Sequence, residues 1–256
     1  MKQTLPQYID PAFMAPLAQH GLDDFDALWA RDIAWFEPPN QRRGGWSGVG
    51  RLVLNVSSAQ PLILFVKKQE NHGRRSWRHP FSGEPTFKRE FLRLQTLAAA
   101  GLQAPRVVVY AESSASGQQR AMLVTENLTD FCDVERLLPE WTQWPHAEKL
   151  QTLRRVAEQV RHFHDLGLVH RALYPKHLFL RGRGAQAELA FIDLEKARHQ
   201  PGLTSRMLFD LSALQRHTPV LSRAHRLLFF KYYLGVKQLS RFDRWCLMRI
   251  IRRSQR

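Results

Sequence analysis

The sequence predicts an α+β fold in two lobes, a small β-rich lobe over residues 1–126 and a larger, mainly helical lobe over residues 127–256. Three observations lead to this prediction. Before residue 126, apolar runs of strand length alternate with glycine-rich and polar clusters. After it, apolar residues recur at helical spacing, beginning with residues 145–165. A short polar loop and two strand-like runs then lead to Asp193.

Composition limits the class of protein. The chain has 256 residues, 44% of them hydrophobic, which is enough to bury the core of one large or two small domains. No run of about 18 uncharged apolar residues is present, so we expect no transmembrane helix. Pro6, Asp10 and Pro11 interrupt the pattern of a signal peptide. Two cysteines do not provide a disulfide framework or a zinc ribbon, and we expect a cytoplasmic protein.

The chain is strongly basic, with a formal net charge of +15 and a pI near 10.6. Such a charge attracts polyanions, including nucleic acids, anionic membrane surfaces and phosphorylated substrates. The charge alone does not choose among them. The sequence has no RNP-type motif, zinc-finger spacing or basic zipper, so nucleic acid is not an expected partner.

A glycine cluster over residues 44–50 precedes an alternating apolar run over residues 52–56. This order predicts a tight hairpin whose backbone N–H groups can face phosphate, with Gly44, Gly45 and Ser47 as nucleotide-binding candidates. The spacing matches neither a Walker A motif nor a complete G-x-G-x-x-G, so an ordinary hairpin is the competing interpretation. Upstream, residues 22–32 have the spacing of one packing helix.

The next strand, residues 62–69, carries two lysines near its end, where a lysine can reach nucleotide phosphates. Strand side chains alternate between faces, so only one of Lys67 and Lys68 can face a nucleotide, and we choose Lys67. The following helix, residues 86–97, carries Glu90 beside its apolar stripe, where it can pair with Lys67.

Strands over residues 106–111 and 119–125 complete a predicted sheet of about five strands with one helix. Glu126 ends the sheet at a hinge and is a further cofactor-binding candidate. The long helix that follows carries His162 and His164, and His170 comes soon after. Residues two apart on a helix do not share a face, so we do not expect a zinc site there.

Residues 168–180 form a loop and strand, and a second strand over residues 188–192 precedes Asp193. A further helix is predicted to open at Phe209. Residues 223–234 and 241–253 predict amphipathic helices with basic faces, which are either solvated or in contact with an anionic membrane.

The order of these elements resembles the protein-kinase-like fold, and more closely the InaA-type group of bacterial lipopolysaccharide core kinases. The resemblance extends from about Arg42 to Asp210. It rests on Gly44-Gly45-Trp46-Ser47, Val66-Lys67-Lys68-Gln69, His79-Pro80-Phe81, Gly83-Glu84-Pro85-Thr86-Phe87 and Leu173-Tyr174-Pro175-Lys176-His177-Leu178-Phe179-Leu180.

The resemblance implies ATP and Mg²⁺ as cofactors, with the nucleotide between the lobes. Lys67 is then expected on the phosphates with Glu90 as its partner, and Asp193 on the metal. His177 takes the position where protein kinases have an Asn metal ligand, although magnesium prefers oxygen ligands. Asp210 resembles the aspartate that braces the catalytic loop through backbone hydrogen bonds.

One expected residue of the catalytic loop is missing. After His170, itself a catalytic candidate, Ala172 stands where the resemblance places the aspartate that accepts the substrate proton. Such a base contributes about 10²–10⁴-fold to rate. Three interpretations remain open: an active kinase with another base among Asp165, Tyr174, His177 and Glu195; a pseudokinase that binds nucleotide or sugar and regulates a partner; and an inactivating replacement introduced at 172.

The function expected from the resemblance is phosphorylation of a heptose or 3-deoxy-octulosonic acid in the lipopolysaccharide inner core of a Gram-negative bacterium. The expected location is the cytoplasmic face of the inner membrane, with peripheral contact to its anionic surface. The charge of +15 suits a substrate rich in phosphates and carboxylates.

Overall fold

A computed structural model describes residues 6–42, 44–56, 60–76, 79–115 and 117–255. The chain forms two compact units: unit 1 comprises Met1–Thr96 and Pro105–Leu128, and unit 2 comprises Leu97–Ala104 and Thr129–Arg256. Arg43, which precedes the glycine cluster, and the first five residues of the predicted N-lobe lie outside the described residues.

Unit 1 is built on an antiparallel sheet. Its strands are β1 (Tyr8–Ile9), β2 (Ala34–Arg42), β3 (Gly45–Leu54), β4 (Leu62–Glu70), β5 (Gly73–Ser76), β6 (His79–Pro85), β7 (Val107–Ala115) and β8 (Gln118–Glu126). Six of them form one sheet in the order β1-β7-β8-β4-β3-β2, and β5 pairs with β6. The expectation of about five strands was wrong by one, because the proline-interrupted start also supplies β1, where Tyr8 pairs with Tyr110.

The described residues of unit 1 form three helices, α1 (Pro11–Gln19), α2 (Phe25–Ala30) and α3 (Thr86–Ala99), of which α3 continues into unit 2. Helix α1 was not predicted. Its start signals are a proline in the first turn and the Asp10 carboxylate, which accepts a hydrogen bond from the Ala12 N–H at 3.0 Å. Helix α2 is shorter than the predicted residues 22–32, because Asp24 caps it by accepting from Ala27 N–H.

The core of unit 1 lies between α1, α2 and one face of the sheet. It contains Phe13, Leu17, Phe25, Leu28, Leu52, Leu64, Val66, Met122 and Val124. Because Val66 is on this face, the alternation of β4 places Lys67 on the opposite face. There Lys67 meets α3.

Unit 2 is mainly helical. Its elements are α4 (Val134–Leu137), α5 (His146–Asp165), α6 (Leu203–Arg216), α7 (Arg223–Leu234) and α8 (Arg241–Ser254), with strands β9 (Cys132–Asp133), β10 (Leu168–Val169), β11 (Leu178–Arg181), β12 (Glu188–Phe191) and β13 (Arg198–His199). Strand β11 lies between β12 and β9, and β10 pairs with β13. Helix α6 starts at Leu203, six residues before the predicted start at Phe209. Among the described helices, none combines the length and apolarity needed to cross a membrane.

Candidate active site in two parts

The predicted ion pair of unit 1 is present. Lys67 on β4 places Nζ 2.7 Å from Oε1 and 2.8 Å from Oε2 of Glu90 on α3. The Lys67 and Glu90 side chains are 20% and 5% exposed, so water screens the pair less than an ordinary surface pair. Lys67 is thereby held with its charge at a fixed position on the sheet.

Gln69 positions the helix that carries Glu90. Its Oε1 accepts hydrogen bonds from Thr86 Oγ1 at 2.8 Å and from Phe87 N–H at 3.2 Å, at the start of α3. Its Nε2 donates to the carbonyl of His72. This role of Gln69 was not predicted from the sequence. Its separation from Lys67 by two residues, which places both on one strand face, was the available signal.

Lys68 has a structural role on the opposite face, as the alternation of β4 requires. Its Nζ donates to the carbonyl oxygens of Trp29 at 2.7 Å and Arg31 at 2.9 Å, which are free acceptors at the end of α2. Burial lowers the pKa of Lys68 from its ordinary value, opposed by the nearby charge of Asp32. The structure thus pairs Lys67, and not Lys68, with Glu90, while contact of Lys67 with nucleotide stays a prediction.

The glycine hairpin between β2 and β3 is present, and packing explains part of its composition. Gly44 has φ of +80° in the turn. A Cβ on Gly45 would lie 2.1 Å from the Glu70 carbonyl oxygen, so only glycine fits this approach of β3 to the end of β4. Ser47 pairs in register with Gln69. Contact of Gly44, Gly45 and Ser47 with phosphate stays a prediction.

Glu126 is the last residue of β8, and its backbone N–H donates to the Arg106 carbonyl at 2.9 Å. This backbone bond lies just beyond the β7–β8 ladder and gives no role to the Glu126 side chain. Nucleotide binding by Glu126 stays a prediction.

Asp210 braces the predicted catalytic loop of unit 2 through backbone hydrogen bonds, as expected. The fully buried carboxylate accepts from the backbone N–H of His170 at 2.6 Å and of Arg171 at 2.9 Å. The bonds hold Arg171 at φ of +67°, a conformation that costs a non-glycine residue about 1–3 kcal/mol. The loop shape therefore depends on a side chain about 40 residues downstream.

A second layer of buried hydrogen bonds fixes Asp210. His164 on α5 contacts the Asp210 carboxylate through Nε2 at 3.0 Å, and its Nδ1 lies 2.7 Å from the Tyr233 hydroxyl. Since a carboxylate only accepts, Nε2 donates and Nδ1 accepts from Tyr233. Burial raises the pKa of Tyr233 above its ordinary value, which keeps the hydroxyl protonated. His164 is thus part of a hydrogen-bond chain that joins α5, α6 and α7.

His170 connects the catalytic loop to the strand before Asp193. Its ring is fully buried, and Nε2 lies 3.0 Å from the carbonyl oxygen of Ile192, to which it donates. Burial lowers the pKa of His170 from its usual value near 6.5 to about 4. His170 is therefore neutral near pH 7, and this contact makes it a positioning residue.

His170 predicts a loss of stability in acid. Because its folded pKa lies below the unfolded value, the unfolded chain binds the proton first, and stability present above pH 6.5 falls as the pH drops toward 4. The contribution is about 2 kcal/mol between pH 7 and pH 5, and it reaches about 3 kcal/mol only near pH 4. Urea unfolding at pH 7 and pH 5 measures it. His170→Gln, which does not titrate, should show a smaller fall than the native chain, and an equal fall would contradict the prediction.

Asp193, His177 and Ala172 lie together in unit 2. His177 Nδ1 is 2.8 Å from the Ala172 carbonyl oxygen and donates to it, since a carbonyl only accepts. His177 Nε2 faces Asp193 Oδ2 at 3.4 Å. Asp193 has φ of +56°, a left-handed conformation that aspartate tolerates better than most residues. The structure therefore places His177 beside the predicted metal-binding carboxylate.

The other candidate bases make different contacts. Asp165 accepts two hydrogen bonds from Arg161 Nε on α5, and Glu195 lies 3.8 Å from Lys196. The Tyr174 ring packs against His177 and, more closely, His217. Among these candidates, His177 contacts Asp193 at 3.4 Å. The described residues contain no group of three His, Cys, Asp or Glu side chains arranged to hold a metal.

This chain is similar to known lipopolysaccharide kinases and to a protein of the InaA type. The sequence profile of the Lipopolysaccharide kinase (Kdo/WaaP) family matches residues 26–233. Protein InaA of Escherichia coli K12 is 30% identical over 204 residues, covering 79% of this chain and 91% of that protein. Lipopolysaccharide core heptose(I) kinase WaaP of the same strain is 28% identical over 117 residues, covering 43% of this chain and 44% of that protein.

A solved structure of WaaP in complex with acyl carrier protein has a TM-score of 0.71 with this chain at 22% sequence identity. The match covers 100% of this chain and 98% of that one. This likeness confirms the predicted α+β, two-lobed protein-kinase-like fold. The profile and the similarity to InaA confirm the resemblance stated from the sequence motifs.

Proposed function

Because the chain belongs to the lipopolysaccharide kinase (Kdo/WaaP) family, we propose that it transfers the γ-phosphate of ATP to a sugar hydroxyl of the lipopolysaccharide inner core. The proposed acceptor is a heptose or 3-deoxy-octulosonic acid. The observation that carries the proposal is the ion pair between Lys67 and Glu90, because kinases use such a pair to hold a lysine on nucleotide phosphates.

Magnesium fits the chemistry of Asp193. Proteins bind Mg²⁺ through one or two carboxylates together with substrate phosphates, so one aspartate is enough on the protein side. The Asp193 side chain is 28% exposed, which leaves it accessible. When bound, magnesium neutralises the charge that develops on the transferred phosphoryl group. His177 supplies nitrogen, a less suitable ligand, and its bond to Ala172 supports a role in holding the loop.

Phosphate transfer is chemically feasible without an aspartate at position 172. Phosphoryl transfer depends mainly on positioning and on stabilisation of charge, which Lys67 and Asp193 supply. The missing general base lowers the rate by about 10²–10⁴-fold without removing the reaction. We propose a slow enzyme.

Ala172 also favours a second candidate, a pseudoenzyme that binds nucleotide or core sugar and regulates lipopolysaccharide assembly. In this case ATP would raise the thermal stability of the chain, because a ligand stabilises the state that binds it. Phosphate transfer would be absent. Both candidates bind ATP, and the presence or absence of phosphate transfer distinguishes the enzyme from the pseudoenzyme.

The test uses the full chain, γ-labelled ATP, magnesium and dephosphorylated core oligosaccharide. We expect mass spectrometry to find one added phosphate on a heptose or 3-deoxy-octulosonic acid. Lys67→Met should lower transfer by about 10²-fold or more, since it removes a charge from the phosphates. Lys237→Met, which changes an exposed lysine of unit 2, should leave it unchanged. No transfer, or equal transfer by Lys67→Met, would refute the proposal.

We also propose that the protein works at the cytoplasmic face of the inner membrane as a peripheral protein. Lipopolysaccharide is anchored in lipid, and the net charge of +15 attracts the chain to anionic lipid surfaces. Cell fractionation tests the location: the chain should be found with inner membranes at low salt and be released at high salt.

A further inference from the structure

The outer face of α8 exposes large apolar side chains. Phe242, Trp245 and Met248 are 58%, 49% and 49% exposed. The inward side of the helix consists of Cys246 and Ile250, which are buried where α8 packs against α6. The three exposed side chains are therefore additional to the packing face. Side chains of this size are buried in most proteins, so a cluster of them within seven residues indicates an interaction surface.

The aromatic side chains on this face support one another. The rings of Phe242 and Trp245 stack with centroids 5.7 Å apart and planes 21° apart. The Arg249 guanidinium lies 5.4 Å from the centre of the Trp245 ring. Positions 242, 245, 249 and 252 are spaced by three or four residues, which places them on one side of the helix. Contacts within this face, between Phe242 and Trp245 and between Trp245 and Arg249, therefore hold these side chains in place.

The same face is strongly basic. Helix α8 contains five arginines and one aspartate in 14 residues. Asp243 is bonded to the backbone and side chain of Ser240 in a capping box that starts the helix. Four exposed arginines surround the apolar residues: Arg241, Arg244, Arg249 and Arg252. Among the described residues these four make no ion pair with a carboxylate, so their charge is available to an external anion.

An anionic lipid bilayer matches this combination. Trp and Phe side chains enter the boundary between headgroups and acyl chains, while arginines bind lipid phosphates beside them. A second copy of this chain is disfavoured, because two arginine-rich faces on chains of charge +15 repel each other. RNA attracts arginine and stacks on aromatic rings, but it offers no apolar phase for Met248.

We propose that the outer face of α8, formed by Phe242, Trp245 and Met248 with the surrounding arginines, docks the protein on an anionic phospholipid bilayer. This inference rests on the proposed function, because a lipid-linked substrate would require the protein to work at a membrane surface. Its physical basis is the exposed apolar and basic surface. The helix lies in the plane of the bilayer surface and does not cross it.

The first test is sedimentation of the full chain with vesicles. We expect binding to vesicles of phosphatidylcholine mixed with phosphatidylglycerol, weak binding to phosphatidylcholine alone, and a steep loss at high salt. The double variant Phe242→Ala with Trp245→Ala should bind about tenfold or more weakly. Met14→Ala, which removes a 56% exposed apolar side chain from α1, should bind as the native chain does.

Charge is tested separately. Each basic residue near an anionic membrane contributes about a fivefold factor in affinity, so Arg241→Gln with Arg252→Gln should weaken binding by about 25-fold. The matched control is Arg136→Gln with Arg154→Gln, which changes side chains 81% and 65% exposed on α4 and α5. Equal vesicle binding by the α8 variants and the native chain would overturn the proposal. So would tighter binding of the native chain to single-stranded RNA, lost in the α8 variants.

An activity measurement separates this inference from the proposed function. The α8 variants should phosphorylate soluble core oligosaccharide at the native rate and lipopolysaccharide in vesicles about tenfold or more slowly. A native chain that transfers no phosphate to soluble oligosaccharide but still sediments through α8 would refute the proposed function and support docking. Equal rates on vesicles for native and variant chains would refute docking.

Discussion

Asp193→Asn is expected to reduce phosphate transfer by about 10³-fold, because it removes the negative charge proposed to bind magnesium. The folded structure should change little. Asn tolerates the left-handed backbone that Asp193 adopts at φ of +56°, and it has the same shape. The side chain is also 28% exposed, so the amide stays partly hydrated.

The rate of single-turnover transfer from labelled ATP measures this effect, with thermal unfolding as a check on folding. Glu188→Gln is the matched control. It neutralises a carboxylate on β12 that is 41% exposed and pairs with Arg181 at 2.6 Å. We expect Glu188→Gln to keep the native rate. Native activity in Asp193→Asn would remove Asp193 from the proposed site.

Asp210→Ala is expected to lower the free energy of unfolding by about 3–5 kcal/mol, since it leaves buried polar groups without a partner. The backbone N–H groups of His170 and Arg171 lose their acceptor, and so does His164. The strained backbone at Arg171 then has no bond to hold it at φ of +67°. We expect the catalytic loop to lose its shape together with the stability.

Urea unfolding at pH 7 followed by circular dichroism measures this loss. Asp165→Ala provides the comparison, because it removes a 48% exposed carboxylate that pairs with Arg161 one helical turn away on α5. Such a pair contributes about 0.5 kcal/mol or less. Equal, small losses in both variants would show that the buried contacts of Asp210 do not brace the loop.

The sequence was most informative where a local rule decides the outcome. Alternation along β4 is enough to separate Lys67 from Lys68, and the structure pairs Lys67 with Glu90 while Lys68 binds carbonyls at the end of α2. Helical periodicity likewise located α5 and α7, where the predicted and observed bounds agree to within one residue. In each case the residues that decide the structure are close together in the chain.

Features that depend on distant residues were only partly predictable. The bonds from Asp210 to the catalytic loop were expected from the resemblance, but the links to His164 and Tyr233 were not. No local pattern connects residues separated by about 70 positions in the chain. Strand β1 was missed for the same reason, because its partner Tyr110 lies about 100 residues later.

Ala172 is the point on which the functional account depends. The residues around Ala172 are in contact with one another: His177 donates a hydrogen bond to the Ala172 carbonyl, and Asp193 lies beside His177. The proposed slow transfer would depend on the charges of Lys67 and Asp193, with the general base absent.

The most direct test is the single-turnover rate of phosphate transfer to core oligosaccharide by the native chain and by Ala172→Asp. We predict measurable, magnesium-dependent transfer by the native chain and a rate up to about 10²–10⁴-fold higher in Ala172→Asp. No transfer by the native chain, with transfer by Ala172→Asp or by neither, would contradict the claim that the native chain is an active kinase.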